Sequence, residues 1–322
     1  MDNNTFGELE QYMGYMQAIK ERSPLTMKEY KYDLVLFFRF LKRHKKLVPQ
    51  DLDIILIPIN DISQEFIKQI DINDFYAFII YMSNSRKGSS ATRARKIASL
   101  KSFFHYLKSK SRIISEDPTV ELESPKQSKK LPKYLTLEES KRLLTSASEN
   151  IKTYSSRNYC ILTLFLNCGM RLSELVSINI SDIQEESIKV LGKGSKERTI
   201  YLNSACISSL GSWLDDRAKL GNRKEKDSLF ISRLGTRISN KQVQVIVKNC
   251  LKSAGIDSKR YSTHKLRHTA ATLMYKYGKV DIRALQQILG HESIATTEIY
   301  THVDSEQLHN AVESNPLANI KK

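Results

Sequence analysis

The sequence predicts a mainly α-helical protein with one small β-hairpin, divided into two domains. Apolar residues recur at the spacing of an amphipathic helix along most of the 322 residues. Only residues 188–202 alternate like paired strands, around a Gly-Lys-Gly-Ser turn. Residues 117–133 carry three prolines and several lysines, a composition typical of an extended linker between domains. A chain of this length can give each of two domains its own core.

The N-terminal part is predicted to begin with amphipathic helices. Residues 1–23 form the first, and Thr26 with Glu29 makes a capping box that would begin the second. Residues 45–62 contain two prolines and an apolar run, which indicates an extended loop or insertion, and residues 62–80 predict one or two more helices. The second helix carries an apolar stripe that we expect to be core rather than a base-stacking surface. The stripe consists of Tyr30, Leu34, Phe37, Phe38 and Leu41.

A basic helix follows, beginning at Ser90 or Thr92. It lies within residues 75–115, which carry nine basic side chains and no acidic one. A helix that is apolar on one side and cationic on the other is a candidate to lie along a DNA groove. The predicted DNA contacts on its outer face are Arg93, Arg95, Lys96 and Lys101.

The second domain is predicted to begin at Thr136, whose capping box with Glu139 starts a helix. Residues 158–169 form an almost wholly apolar helix that should be buried and should end at its glycine. Arg171 follows closely and would be held rigidly, with Glu174 to orient it. The alternative is an ordinary salt-bridged surface arginine.

The hairpin of residues 188–202 places Lys193 between two glycines at its tip. A long amine there can reach a neighbouring site. Gly-Lys-Gly-Ser is not a P-loop, because it lacks the required spacing and precedes a strand. A solvated turn lysine is the alternative interpretation of this motif. Two further helical stretches follow in residues 205–253.

Residues 262–303 hold two helical patterns, each ending in glycine, and a short polar segment. The first helix should begin near Thr263 and present His264 and Arg267 on one face. The second should begin near Asp281 and end at a glycine followed directly by His291, with Tyr300 nine residues further on. Zinc binding by His264 and His268 is disfavoured, because the glutamate of a His-Glu-x-x-His motif is absent. Two histidines, an arginine and a tyrosine suit a phosphate site with a nucleophile beside it.

Composition limits the class of partner. The chain has 51 basic and 35 acidic side chains, for a net charge of +16, which suits a polyanion. Charge alone does not distinguish DNA from RNA or a membrane surface. No apolar run is long enough to span a bilayer, the N-terminus does not resemble a secretory signal, and the four cysteines form no Cys-x-x-Cys pair. We therefore expect reduced thiols, a cytoplasmic location and no membrane partner.

Five motifs jointly resemble the tyrosine site-specific recombinases of the phage-integrase family, and in particular the Xer recombinases. They are CGMRLSEL at 168–175, GKGSKER at 192–198, HKLRH at 264–268, LGH at 289–291 and IYTHV at 299–303. The resemblance implies DNA transesterification through a 3′-phosphotyrosyl intermediate, with no metal, ATP or other cofactor. Matched residue by residue, it implies a catalytic set of Arg171, Lys193, His264, Arg267, His291 and Tyr300, with Tyr300 as nucleophile. The hairpin residues Lys196 and Arg198 are interpreted as contacts to DNA phosphates.

The resemblance also implies a two-domain DNA clamp. Its parts would be a helical core-binding domain at 1–115, a linker at 116–133, and a catalytic domain with a C-terminal tail at 134–322. The expected assembly is a homo-tetramer on two DNA sites, exchanging strands through a Holliday junction and passing the tail to the next protomer. Alternatives for the assembly are a hetero-tetramer with a second recombinase and activation by a DNA translocase. Alternatives for the function are integration or excision of a mobile element, type IB topoisomerase activity, and DNA binding with a vestigial site.

Overall fold

The computed structural model describes residues 3–84, 89–125, 133–149, 154–192 and 197–303. The chain separates into two compact units, Met1–Lys129 and Lys130–Lys322. The fold class expected from the sequence is confirmed: the described residues are mainly helical, with one antiparallel sheet of strand order β1-β2-β3. In these ranges no helix combines the length and the apolar character needed to cross a membrane.

The first unit packs its helices around an aromatic core. Phe37 stacks on Phe75 with ring centroids 5.0 Å apart, and Phe104 meets the same ring edge-on at 5.0 Å. The stripe residues Leu34, Phe37, Phe38 and Leu41 are fully buried, and Tyr30 is partly buried against the same core. The predicted stripe is therefore core and not a base-stacking surface. The helices of this unit are α1 (Gly7–Ala18), α2 (Pro24–His44), α3 (Gln64–Lys68), α4 (Ile72–Asn84) and α5 (Ser90–Ser109).

The start of α2 corrects the sequence prediction. Ser23 is the N-cap, and its hydroxyl accepts a hydrogen bond from the backbone N–H of Thr26 at 3.3 Å. Pro24 takes the first helical position, where its fixed φ is suitable and its missing N–H is not needed. Thr26 therefore lies inside the helix rather than at its start. Helix α5 begins at Ser90, the first of the two predicted starts, and Ser89 is its N-cap.

Two irregular segments of this unit are packed rather than extended. In residues 45–62 the side chains of Ile54, Ile57 and Ile59 are buried, and Lys42 of α2 donates to the carbonyl of Pro58 at 2.9 Å. Beyond α5, Leu122 is buried in the same core. Residues 116–125 of the predicted linker therefore belong to the first unit and residue 133 to the second, while residues 126–132 lie outside the described residues.

A buried ion-pair cluster joins α2 to α5. Asp33 is fully buried and accepts hydrogen bonds from Lys96 at 2.5 Å and from Arg95 at 2.7 Å. Glu29 pairs with the same arginine at 2.9 Å. The cluster thus holds two carboxylates and two cations, and its charges balance.

The second unit surrounds the apolar helix α7. Gly169 ends α7 in the left-handed conformation, and Thr136 begins α6 through the predicted capping box. The hairpin is antiparallel, with Val190 opposite Arg198, while residues 193–196 at its tip lie outside the described residues. The elements of this unit are α6 (Leu137–Ser148), α7 (Ser155–Cys168), α8 (Leu172–Ser177), β1 (Ile183–Gln184), β2 (Ser187–Leu191), β3 (Glu197–Tyr201), α9 (Ser204–Lys219), α10 (Asn240–Ser253), α11 (Thr263–Gly278) and α12 (Ile282–Leu289), with 3-10 turns at Ile180–Asp182, Ile294–Thr296 and Glu298–Val303.

Helices α11 and α12 lie where the sequence places them. Asp281 caps α12 by accepting from two backbone N–H groups, and Gly290 ends it at φ +63°. Helix α11 begins at Thr263 without a side-chain cap. Leu285 and Leu289 of α12 are buried, whereas Ile288, which the apolar pattern places inside, is exposed.

Candidate active site

The site forms where α7 and α12 end. Both helices stop at glycines with positive φ, Gly169 at +60° and Gly290 at +63°, a conformation that costs glycine little. Space also requires glycine at both positions. A Cβ on Gly169 would lie 2.9 Å from the side chain of Leu289, and one on Gly290 would lie 3.0 Å from that of Arg198. The two stops therefore bring the carbonyl ends of the helices together.

Three arginines bind three consecutive carbonyls at the end of α12. Arg198 donates to the carbonyl of Ile288 at 2.6 Å, Arg267 to that of Leu289 at 2.5 Å, and Arg171 to that of Gly290 at 2.5 Å. Arg267 also donates to the carbonyl of Gly169, the last residue of the α7 stop, at 2.7 Å. These carbonyls have no partner within their helix, and the helix dipole makes this end negative. Helix ends thus fix the guanidinium groups in place.

Glu174 ties the arginines to one another. It accepts from the backbone N–H and the guanidinium of Arg171 at 2.6 and 2.7 Å, and from Arg198 at 3.1 and 2.8 Å. Arg267 lies 3.9 Å from the same carboxylate. Burial acts to raise the pKa of Glu174, but the bonds and charges of Arg198, followed by the bonds from Arg171, outweigh it and lower the pKa. The carboxylate is therefore ionised at neutral pH.

The cluster carries more positive than negative charge. Three guanidinium groups face one carboxylate. Burial lowers the pKa of Arg267 to about 10, helped by the charge of Arg171 and opposed by Glu174, so Arg267 stays cationic at neutral pH. The Arg171 side chain is 31% exposed, whereas Arg267 is 3% exposed. An excess of two positive charges with one guanidinium open to solvent is the electrostatic arrangement of an anion site.

Three imidazoles border the cluster and are neutral. Burial, followed by nearby positive groups, lowers the pKa of His268 and of His291 to about 4 each. Partial burial of its ring, then the charges of Arg267 and Arg171, also lowers the pKa of His264. Neutral imidazoles offer one donor and one acceptor each, and can therefore bind an anion or accept a proton.

Tyr300 completes the site from the 3-10 turn after α12. Its side chain is buried against Ala271, Leu285 and Leu289. Its hydroxyl lies 2.7 Å from Nδ1 of His268. Burial raises the pKa of Tyr300 to about 12, although the charge of Arg267 acts in the opposite direction. The phenol is therefore protonated in this conformation.

The structure brings together most of the catalytic residues predicted from the sequence. The structure places Arg171, Arg267, His264, His291 and Tyr300 in one cluster. The ring of His264 lies 4.4 Å from that of His268, and the charges of Arg267 and Arg171 act on both His264 and His291. Their individual roles stay predictions. Lys193 and Lys196, the other predicted residues of the hairpin, lie outside the described residues.

Three residues of the site have roles that sequence reasoning missed or only touched. Arg198 spends three donor nitrogens on Glu174 and the carbonyl of Ile288, and so supports the site, while its predicted contact to DNA phosphate stays a prediction. His268, for which the sequence predicts a packing or hydrogen-bonding role beside the site, contacts the hydroxyl of Tyr300 itself. Thr297, not considered, bonds to His291. The sequence did carry a signal for His268, since that residue follows Arg267 directly in the motif.

The predicted DNA contacts on α5 divide into two groups. The predicted DNA contact of Lys96 is wrong. This residue is 4% exposed and its amine is held by Asp33, so it cannot reach a phosphate. Arg95 is partly exposed but shares the same carboxylate and Glu29. Arg93 and Lys101 are partly buried, and the amine of Lys101 lies 3.5 Å from the carbonyl of Val120. For these two, DNA contact stays a prediction.

Comparisons with known proteins show the family of the chain. The model of the phage integrase family matches residues 133–307. The chain is 53% identical over 310 residues to the tyrosine recombinase XerC of Caldanaerobacter subterraneus subsp. tengcongensis, covering 96% of this chain and 87% of the relative. It is 33% identical to the tyrosine recombinase XerD of Oceanobacillus iheyensis, covering 95% and 97%.

Solved structures show the same fold. A XerH site-specific recombinase bound to a palindromic difH substrate in a post-cleavage complex gives a TM-score of 0.71 at 24% identity, with 95% of this chain and 83% of that chain covered. The XerA recombinase gives a TM-score of 0.51 at 30% identity, covering 96% and 98%. On these matches and on the cluster above, the chain belongs to the phage integrase family as a tyrosine recombinase of the Xer group, an enzyme that cleaves and rejoins DNA in site-specific recombination.

Proposed function

We propose that this recombinase resolves chromosome dimers at a dif-like site, in the cytoplasm, and thereby serves chromosome partition at cell division. The support comes from relatives named XerC and XerD, which the chain matches over most of their length. Integration or excision of a mobile element would use the same residues. The DNA site that reacts is what separates the two functions.

The observation that carries the proposed mechanism is the excess positive charge held at the end of α12. The described contacts of Arg171 and Arg267 engage two of the five N–H donors on each guanidinium. The remaining donors bind the two non-bridging oxygens of the scissile phosphate, where charge grows in the transition state. Glu174 and the helix carbonyls keep both groups fixed, which avoids reorganisation during the reaction.

In the proposed reaction Tyr300 attacks phosphorus, forms a 3′-phosphotyrosyl bond and displaces the 5′-oxygen of the next nucleotide. Conserving the phosphodiester energy in a covalent bond removes the need for ATP. His264 is the base proposed from the family resemblance; in the structure the phenol contacts His268, whose ring centroid lies 4.4 Å from that of His264. His291 is proposed to donate to the phosphate through Nε2. The leaving 5′-oxygen takes a proton, which we assign to Lys193 on the strength of the family resemblance alone.

The first unit is also proposed to bind DNA, as a core-binding domain at 1–115 joined by residues 116–133 to a catalytic domain at 134–322. The working assembly is a tetramer on two duplexes, with one recombinase or a pair. If Arg93 or Lys101 contacts a phosphate, replacing it should make the plot of log binding constant against log salt concentration shallower by about one per residue.

The experiment uses nicked suicide substrates that carry candidate dif-like sites or the ends of a neighbouring mobile element. Purified protein is mixed with each and run on a denaturing gel. Wild-type protein should give a covalent band on dif-like DNA, because the nick lets the 5′-product diffuse away and traps the intermediate. Tyr300→Phe should give no band, yet bind the same DNA in a gel shift.

Each outcome separates the alternatives. A band with Tyr300→Phe would show that the nucleophile is another residue. A band only on the element ends would favour mobility over dimer resolution. Relaxation of plasmids without any such site would favour a topoisomerase. Tight binding without cleavage on every substrate, even beside a second recombinase, would contradict the proposed activity.

A further inference from the structure

Two imidazoles hold one short segment of the chain. Nδ1 of His268 lies 2.7 Å from the hydroxyl of Tyr300, and Nδ1 of His291 lies 2.9 Å from the hydroxyl of Thr297. Thr297 and Tyr300 are almost completely buried, at 0% and 1% exposure. Buried hydroxyls need partners, and both of these find theirs on a histidine of the site.

The backbone makes the two contacts act together. The N–H of Tyr300 donates to the carbonyl of Thr297 at 3.0 Å, closing a turn of 3-10 type. With three residues per turn, side chains three apart point to the same side. The segment is therefore attached at two points that share one face, which fixes its rotation as well as its distance from the site.

Burial and the charges around His268 keep its ring neutral. His264, Lys265 and Arg267 lie near it on α11, and His291 lies near it after α12. Helix α7 meets α11 through the Gly169 stop, whose carbonyl accepts from Arg267. Burial and surrounding cations disfavour a protonated ring, so each neutral ring carries its proton on one nitrogen only. In the tautomer with that proton on Nε2, Nδ1 of His268 accepts from the phenol O–H and Nδ1 of His291 accepts from Thr297, which leaves the Nε2–H of His291 for the phosphate.

We propose that His268 and Thr297 are positioning residues of the nucleophile: together they hold the turn of Tyr300 at a fixed distance and orientation beside the arginine cluster. The proposal rests on the proposed function, in which Tyr300 is the nucleophile. His268 acts through the phenol, and Thr297 acts through His291 and the turn. A misplacement of about 1 Å at a reacting atom costs about 100-fold in rate, so loss of either contact should be visible in the chemical step.

The test is the single-turnover rate of covalent-band formation at saturating nicked substrate. His268→Ala removes the acceptor and should slow the step by about 100-fold, with little change in the Kd for DNA. His268→Asn puts a carbonyl oxygen near the position of Nδ1 and should recover most of the rate. Thr297→Val removes only the hydroxyl and should slow the step by about 10-fold, whereas Thr297→Ser should not. His105→Ala, on the exposed face of α5, is the matched control.

Two further readouts separate positioning from folding. In protein with 15N-labelled histidine, the Nδ1 resonance of His268 should report a hydrogen-bonded acceptor and should shift in Tyr300→Phe. The second readout is stability against pH. The folded pKa of His268, about 4, lies below the unfolded value of about 6.5, so the unfolded chain binds the extra proton. Stability is complete above about pH 6.5 and is lost as the pH falls toward 4. His268→Asn should weaken that dependence.

The outcomes distinguish the two proposals. If wild-type protein gives no Tyr300-dependent band on any substrate, the proposed function fails. If the band forms but His268→Ala and Thr297→Val cleave as fast as wild type, the positioning role is wrong. A faster rate in His268→Ala would also overturn it, since the contact would then restrain the tyrosine. If His268→Ala does not fold, Thr297→Val and Thr297→Ser carry the comparison alone.

Discussion

Two charged clusters, one in each unit, are built around a buried carboxylate and have opposite electrostatic results. In the first unit Asp33 binds Lys96 and Arg95, and Glu29 supplies the second negative charge. In the second unit Glu174 alone faces three arginines. The first cluster is neutral, whereas the second keeps two positive charges in excess.

The difference lies in how the cations are held. The cations around Asp33 find carboxylates as partners, so nothing remains to attract a ligand. The arginines around Glu174 are held largely by backbone carbonyls, which orient a guanidinium without cancelling its charge. A cluster fastened by carbonyls can therefore be rigid and still bind an anion. Counting the carboxylates around buried cations separates a structural cluster from a binding one.

The largest expected effect tests the neutral cluster. Lys96→Met should lower the free energy of unfolding by about 3–5 kcal/mol, because it leaves the buried Asp33 with Arg95, a partner shared with Glu29. Arg198→Met, the matched change in the second cluster, should cost less, since Glu174 keeps two arginines, Arg171 at 2.7 Å and Arg267 at 3.9 Å. Urea unfolding followed by circular dichroism measures both. Equal losses would mean that the surplus of cations does not protect Glu174.

The next effect compares two arginines in similar surroundings. Arg171 and Arg95 are 31% and 36% exposed, and each binds a carboxylate that is almost fully buried. Arg171→Ala should slow single-turnover cleavage by about 100- to 1000-fold, as expected for loss of a transition-state donor. Arg95→Ala should leave that rate within a few-fold at saturating DNA. Similar rates in the two variants would contradict the distinction between the clusters.

The smallest effect concerns the glycine that ends α12. Gly290→Ala and Gly255→Ala impose the same positive φ, +63° and +68°, and each should cost about 1–2 kcal/mol of stability. A Cβ at Gly255 meets nothing within 4 Å, whereas one at Gly290 lies 3.0 Å from Arg198. Only Gly290→Ala should therefore also slow cleavage, by about 10-fold. If Gly255→Ala slows it equally, strain rather than the carbonyl array is responsible.

Much of the fold was predictable because its signals are local. Apolar spacing indicated the helices, the alternation around a Gly-Lys-Gly-Ser turn indicated the hairpin, and the glycines after α7 and α12 marked their ends. The start of α2 was missed because Thr26 and Glu29 imitate a cap that Ser23 and Pro24 already provide. Two nearby cap patterns compete, and the proline decides between them.

The site was predictable as a list of residues but not as a network. Arg171 and Gly290 are 119 positions apart, yet their bond sets the geometry of the cluster. Lys96 appeared on the cationic face of its helix, and only the packing of α2 against α5 brought Asp33 to it. A charged side chain has the same sequence signature whether it faces solvent or a buried partner.

By itself the sequence determined which segments are helical, where two of them stop, and which side chains could bind a phosphate. Those properties depend on residues within a turn or two of one another. The tertiary structure decided which cations are neutralised and which remain in excess, that Arg198 supports the cluster, and that His268 meets Tyr300. These depend on where helix ends meet, and long-range packing alone fixes that.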